Sequence, residues 1–289
     1  MNTKKLFDLS GRVAIITGGS IGLGRQMAEG LAEMGANLVL CARKKEPCAQ
    51  AADELKQLGV KTLALSCDVK DPDQIREVVE QTASQFGRID VLINNAGAFF
   101  SQRQVTEDGL ECTFALNHMA YFMLTEGLRA RLAATAPARI VNTASGTHHR
   151  AVLDLDDLQS RKSYSGRKAY SLSKLCNVLF TRELAKRVQR IGVTANCLHP
   201  GFVATRFGDQ NGGLTSLCIR LAKLFAIPPE QGAKTIVHLA SSPEVAGISG
   251  RYFVDCKVTA PSPLALDDRA ASVLWERTAA LAGMQPYRD

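Results

Sequence analysis

No stretch of this 289-residue chain approaches the ~18 consecutive apolar residues that a membrane-spanning helix requires, so the sequence offers no such span. The first twelve residues are polar and run directly into an apolar segment, without the pattern of a secretory signal. Its eight cysteines (41, 48, 67, 112, 176, 197, 218, 256) form no Cys-x-x-Cys pair and no metal-ligand spacing, which removes zinc modules and dithiol redox centres. Several lie inside apolar runs, where a thiol behaves as a small hydrophobe, so reduced thiols in a cytoplasmic protein are expected. His118, His148, His149 and His199 have no third ligand spaced to complete a metal site. The chain also lacks a Pro- or Gly-rich linker, an internal repeat and low-complexity sequence. A net charge of +7 comes from scattered residues, and the densest group, Arg182, Lys186, Arg187 and Arg190, recurs at helical spacing as a solvated face. Nucleic acid is therefore not the expected partner, whereas a modest positive field suits an anionic cofactor.

What is present is enough apolar material, 46% of residues, for a sizeable core. Short apolar or β-branched runs at 13–16, 37–41, 61–66, 90–94, 139–143, 193–198 and 252–255 read as strands. Amphipathic stretches at 23–34, 46–58, 72–86, 109–132 and 168–190 read as helices, with Trp275 a packing anchor in a C-terminal amphipathic stretch. Strands apolar throughout and separated by helices imply a parallel sheet covered on both faces. The expected fold is α/β: one doubly wound domain over 1–289 with about seven strands.

Immediately after the first strand comes Thr17-Gly18-Gly19-Ser20-Ile21-Gly22-Leu23-Gly24. Residues without side chains let the backbone approach a pyrophosphate, whose charge then meets a helix N-terminus. The second strand ends in Cys41-Ala42-Arg43-Lys44, with no acid before Glu46. A carboxylate there would bind ribose hydroxyls and select NAD(H); an arginine can instead fork a 2′-phosphate, so NADP(H) is expected over NAD(H). The alternative is that Arg43 and Lys44 are ordinary solvent-facing residues. Asp68 and Val69 follow the third strand, and Asn94-Asn95-Ala96-Gly97 ends the fourth, both at carboxyl ends where ligands bind in such sheets. Asp68 could accept from an adenine amino group, and the small Ala96 and Gly97 let backbone lie against a nucleotide. Asn94 either touches that ligand or ties neighbouring loops together.

Tyr170 and Lys174 lie one helical turn apart on one face. A phenol's ordinary pKa of about 10 is high for proton transfer at neutral pH, and a nearby ammonium favours the phenolate. Ser145, just past the fifth strand, can donate to a substrate oxygen, and Asn117 could anchor a water that relays protons to Lys174. Tyr164 and Lys168 share the same spacing, but the intervening Gly166 weakens a helix there and the pair is rejected.

With these motifs in order, the chain resembles the short-chain dehydrogenase/reductase family over 11–282. The resemblance implies that Asn117, Ser145, Tyr170 and Lys174 form a catalytic tetrad, and that Pro200, Gly201, Val203 and Thr205 wrap the nicotinamide end. Asn117-His118-Met119-Ala120-Tyr121-Phe122, the run from Ser173 to Phe180, and Leu198-His199-Pro200-Gly201 resemble the retinol dehydrogenase and protochlorophyllide reductase-like branch, which commonly uses NADP(H). Its microsomal members carry an N-terminal membrane anchor that is not apparent here, so a cytoplasmic relative is expected. The family places a variable substrate lid at 206–228. There Leu214, Leu217, Leu221, Leu224 and Phe225 recur at amphipathic spacing, readable as an apolar roof over a lipophilic carbonyl or alcohol, as core packing or as a membrane-contact face. The resulting expectation is an NADP(H)-dependent alcohol–carbonyl oxidoreductase with Tyr170 as acid/base, open to homo-oligomer formation. Two alternatives remain: a reductase of activated C=C bonds, and a non-catalytic NADP(H)-sensing protein.

Overall fold

The computed structural model describes residues 7–204 and 226–284. Seven parallel strands, β1 (Val13–Thr17), β2 (Asn37–Ala42), β3 (Thr62–Ser66), β4 (Val91–Asn94), β5 (Ala138–Thr143), β6 (Val193–His199) and β7 (Tyr252–Val254), lie in the order β3-β2-β1-β4-β5-β6-β7. An eighth, β8 (Lys257–Val258), pairs antiparallel with β7 at the edge. It goes beyond the seven anticipated. Asp255 and Cys256 both take positive φ (48° and 62°), the backbone that a two-residue hairpin needs, and two residues are too few to show a periodic pattern.

Alternation along each strand feeds two cores. Val13 and Ile15 face one side with Val39, Leu92 and Ile140, while Ala14 and Ile16 face the other with Leu38, Leu40 and Ile93. Helices α1 (Gly22–Glu33), α2 (Lys45–Lys56) and α7 (Pro229–Ser241) supply buried residues to the second side. Helices α3 (Pro72–Phe86), α5 (Ala120–Ala134), α6 (Gly166–Val188) and α8 (Asp268–Leu281) supply the first. The sequence reading did not anticipate α7. Its apolar signal was there to be read: Ala233, Ile236, Leu239 and Ala240 recur at helical spacing on the buried face, beside the small Gly232. That glycine allows tight contact: a Cβ on Gly232 would stand 2.6 Å from a Val203 methyl.

The predicted helix 109–132 is also redrawn. Gly109 lies in a turn at φ +81°, and Glu111 opens the first helical turn, α4 (Cys112–Phe114), by accepting from the N–H groups of Thr113 and Phe114 at 2.8 Å. A π-turn, Ala115–Met119, then leads into α5.

At the rear of the first core, α8 closes over α5 and α6 through Trp275. Its ring stacks on Phe180 at 5.6 Å, meets Phe122 edge-on at 4.9 Å and lies beneath the Arg187 guanidinium at 4.5 Å. Trp275→Ala is expected to lower stability by about 3–5 kcal/mol in urea titrations followed by circular dichroism. A loss below about 1 kcal/mol would show that α8 is not sealed by this ring.

Candidate active site

In the strand order, β1 lies between β2 and β4, so the connections from β1 and β4 diverge and leave a crevice beyond their carboxyl ends. The glycine turn shapes one wall. Gly18 and Gly22 take φ values of +70° and +55°. A Cβ on Gly24 would stand 2.1 Å from the Gly18 carbonyl oxygen, so only glycine lets the first turn of α1 fold onto the loop before it. Thr17 joins this turn to the loop after β4. Its Oγ1 accepts from the N–H groups of Asn95 at 2.9 Å and Ala96 at 3.0 Å, and its carbonyl accepts from Asn95 Nδ2 at 2.9 Å. Asn94 takes the structural option, donating to Thr125 Oγ1 at 3.1 Å and Asn142 Oδ1 at 2.9 Å beneath the crevice.

The crevice opens into a cleft of about 1820 Å³. It runs from Arg43 and Lys44 past Val69, across Gly18, Ser20, Ile21, Gly22 and Gly24, along Asn95, Ala96 and Gly97, to Ser145, Tyr170, Lys174, Pro200, Gly201 and Val203. Two anticipated residues do not line it. Asp68 is turned to Lys70, accepting from its N–H at 3.1 Å with Nζ 3.5 Å away, although Cys67 and Val69 on either side do face the cleft. Asn117 stands behind Gly97. Its Oδ1 accepts from Ala98 N–H at 2.9 Å, and its Nδ2 donates to the Ala98 carbonyl and to Ser173 Oγ, both at 3.0 Å. Both amide hydrogens of that side chain are thus committed to protein groups. Thr205 and most of the anticipated lid at 206–228 lie outside the described residues.

Ser145 ends the segment after β5, and Tyr170 and Lys174 stand on α6. Ser145 and Tyr170 both line the cleft, and the Ser145 side chain stands close enough to favour the Tyr170 phenolate. Lys174 Nζ donates to the Thr143 carbonyl at 2.9 Å and lies 5.7 Å from the centroids of the Tyr170 and Tyr121 rings. The rejected pair stays apart from this group: Tyr164 precedes α6 and its hydroxyl donates to the Phe100 carbonyl at 2.9 Å. Burial pushes the Tyr170 phenol up to about 12, only partly countered by the Ser145 hydroxyl, and pushes Lys174 down to about 7. In the protein alone, burial disfavours the charged form of both groups.

The family model for short chain dehydrogenases matches residues 12–212. This chain belongs to the short-chain dehydrogenase family. Retinol dehydrogenase 13 of Homo sapiens is 39% identical over 286 residues, covering 96% of this chain and 86% of that protein. Retinol dehydrogenase 12 of Homo sapiens is 38% identical over 280 residues, covering 96% and 88%. The chain is thus a short-chain dehydrogenase of the retinol dehydrogenase-like branch. Among solved structures, a protein from Mycobacterium Paratuberculosis superposes with a TM-score of 0.78 at 27% identity, covering 99% of both chains. L-Sorbose reductase from Gluconobacter frateurii, complexed with NADPH and L-sorbose, gives 0.69 at 27%, covering 86% of this chain and 96% of that one. A short chain dehydrogenase from Burkholderia cenocepacia in complex with NADP gives 0.69 at 28%, covering 85% and 96%.

Two supports of this short-chain dehydrogenase site have no role in the sequence reading. Thr17 is one; its position at the strand end before the glycine turn was the available signal. The other is His148, fully buried, whose Nδ1 lies 2.7 Å from the Ser145 carbonyl while Nε2 accepts from Ser262 N–H at 3.0 Å. This geometry places the proton on Nδ1, and burial holds the imidazole below its ordinary 6.5. A depressed folded-state pKa means that stability is fully present above about pH 6.5 and is lost as pH falls through the folded value. His148→Leu is expected to cost about 1–3 kcal/mol at pH 7 and to flatten the decline below pH 6.5 in urea titrations. An equally steep decline in the variant would exclude His148 as its source.

Proposed function

We propose that this oxidoreductase interconverts a lipophilic alcohol and its aldehyde or ketone with NADP(H), using Tyr170 as general acid and base. The reading is carried by Ser145, Tyr170 and Lys174 standing together in a cleft whose other half is shaped for a dinucleotide.

The fit to a dinucleotide follows from the chain's own atoms. Gly24 leaves room where a Cβ would strike backbone, and Ile21 at the N-cap of α1 makes no side-chain capping bond, so the helix N–H groups there are available to a pyrophosphate. Arg43 and Lys44 stand at the far end, and Glu46 is not among the residues lining the cleft. A 2′-phosphate suits that end better than a bare ribose. The NADPH and NADP complexes of the two structural relatives agree with this choice. The names of the retinol dehydrogenase relatives, and Phe99, Leu116, Phe202 and Val203 along the cleft, support a lipophilic substrate.

When bound, the nicotinamide supplies or takes up a hydride at the substrate carbon. Ser145 and Tyr170 hold the substrate oxygen between their hydroxyls. A phenol raised to about 12 is protonated at neutral pH and so is ready to donate as carbonyl reduction proceeds. Lys174, fixed to the Thr143 carbonyl with its Nζ 5.7 Å from the Tyr170 ring, would stabilise the phenolate that results and would hold the ribose of a bound nucleotide. Asn117 holds the loop at Ala98 and the α6 residue Ser173, so it sets the distance between nucleotide wall and catalytic helix. For oxidation Tyr170 must first lose its proton, so alcohol oxidation should climb from pH 7 to 10 while carbonyl reduction stays level or falls.

Tyr170→Phe is expected to lower turnover about 10²–10⁴-fold while nucleotide still binds by fluorescence titration; turnover near wild type on every substrate would remove Tyr170 as the proton donor. Arg43→Ala with Lys44→Ala should reduce kcat/KM with NADPH about tenfold to a hundredfold and leave NADH nearly unaffected. Equal losses with both nucleotides would place the 2′-phosphate contact elsewhere.

A further inference from the structure

The acid-free character of the cleft extends past the nucleotide half. Among the described residues, no aspartate or glutamate lines it at either end, whereas two arginines, Arg150 and Arg167, line it near Ser145 and Tyr170. Neither belongs to the groups the dinucleotide needs. Arg150 closes the 3-10 turn Gly146–Arg150 that begins directly after Ser145. Arg167 sits three residues before Tyr170 in the first turn of α6, on the same helix face and about 5 Å along the axis.

Both side chains are exposed, and among the described residues neither has an ion-pair or hydrogen-bond partner. The reason lies in the segment between them. Its three acids are already engaged: Asp154 with Lys162 at 2.9 Å, Asp156 with Arg277 at 2.7 Å, and Asp157 with the N–H groups of Arg161 and Lys162 at 2.7 and 3.0 Å. Two guanidinium groups are thus left without counter-charge at the rim where a substrate tail would leave the reacting hydroxyls. Phe99, edge-on to Tyr170 at 6.2 Å, and the half-exposed Phe202 supply apolar surface along the way.

We propose that Arg150 and Arg167 bind the carboxylate of an amphiphilic substrate, so that the enzyme favours lipophilic aldehydes or ketones carrying a carboxylic acid, and the matching hydroxy acids. This rests on the alcohol–carbonyl reading above and names the substrate class for that site. A guanidinium presents paired N–H donors that match a planar carboxylate, and contacts of this kind are short, oriented and stronger than neutral ones. The reaction is unchanged by the tail. Reduction forms one C–H bond with a hydride from the reduced dinucleotide and one O–H bond with the Tyr170 proton, which solvent replaces. The dinucleotide leaves oxidised and the carboxylate remains intact.

The test compares ω-oxo carboxylic acids of six to twelve carbons with their methyl esters, using the full chain and NADPH. The acid is expected to exceed its ester in kcat/KM by about tenfold or more at low ionic strength, mainly through KM. Added salt should shrink the ratio. Arg150→Gln and Arg167→Gln should each lower the acid-to-ester ratio about tenfold. Because the ratio cancels any loss common to both substrates, a partly damaged variant still reports. If acids and esters are reduced equally well and neither variant changes the ratio, the carboxylate site is wrong while the alcohol–carbonyl reading stands. If none of the acids or esters is reduced although nucleotide binds, both fail for this substrate class.

Discussion

The bond from Lys174 Nζ to the Thr143 carbonyl is the contact on which the geometry of the site depends. It fixes α6 to the carboxyl end of β5, a step away from Ser145, and thereby sets Tyr170 against the Ser145 side chain. An ammonium buried this deeply is costly unless a fixed dipole faces it, and a carbonyl at the end of a parallel strand provides one. Asn117 reinforces the arrangement from the other side, joining the loop behind Gly97 to Ser173 in the same helix. The π-turn that carries Asn117 gives this stretch a wider turn than an α-helix. Tyr170 and Lys174 therefore stand where strand ends, loop and helix place them together, and burial pushes the phenol's pKa up.

Charge is distributed along the cleft to a common end. Cations occupy both extremities and the described lining contains no acid, so anionic groups meet no repulsion at any point of entry. Hydride exchange at a neutral carbonyl does not call for that uniformity. It suits a site whose ligands carry negative charge at each end and react in the middle.

How much of this was legible in the sequence differs from element to element. The parallel sheet was plain, because buried strands such as β1 are apolar at all but the last position and helices such as α1 and α3 carry strong periodicity. That the glycine turn, Ser145, Tyr170 and Lys174 line one cleft was legible because the proposed chemistry calls for particular residue types at fixed offsets. The helix α7 was legible in the spacing of Ala233, Ile236, Leu239 and Ala240 but went unread. The start of the helix before α5 was misplaced because Glu111, not Gly109, caps it. Thr17, His148 and the committed side chain of Asn117 were out of reach for a different reason: each acts through partners distant in sequence, Asn95, Ser262 and Ala98. The direction in which the Tyr170 phenol shifts also depends on burial, which local spacing does not report.

Trp275 and its helix come late in the chain, yet they seal the back of α6 through Phe180 and Phe122. During synthesis the dinucleotide half can therefore assemble while these two phenylalanine rings are still uncovered. For that interval the nascent chain presents a greasy flank beside an otherwise finished nucleotide cradle, an invitation to chaperones or to self-association. A frameshift or nonsense codon upstream of the final helix would leave that flank permanently bare, so quality control could eliminate such a product even though every residue of its reaction centre had been made.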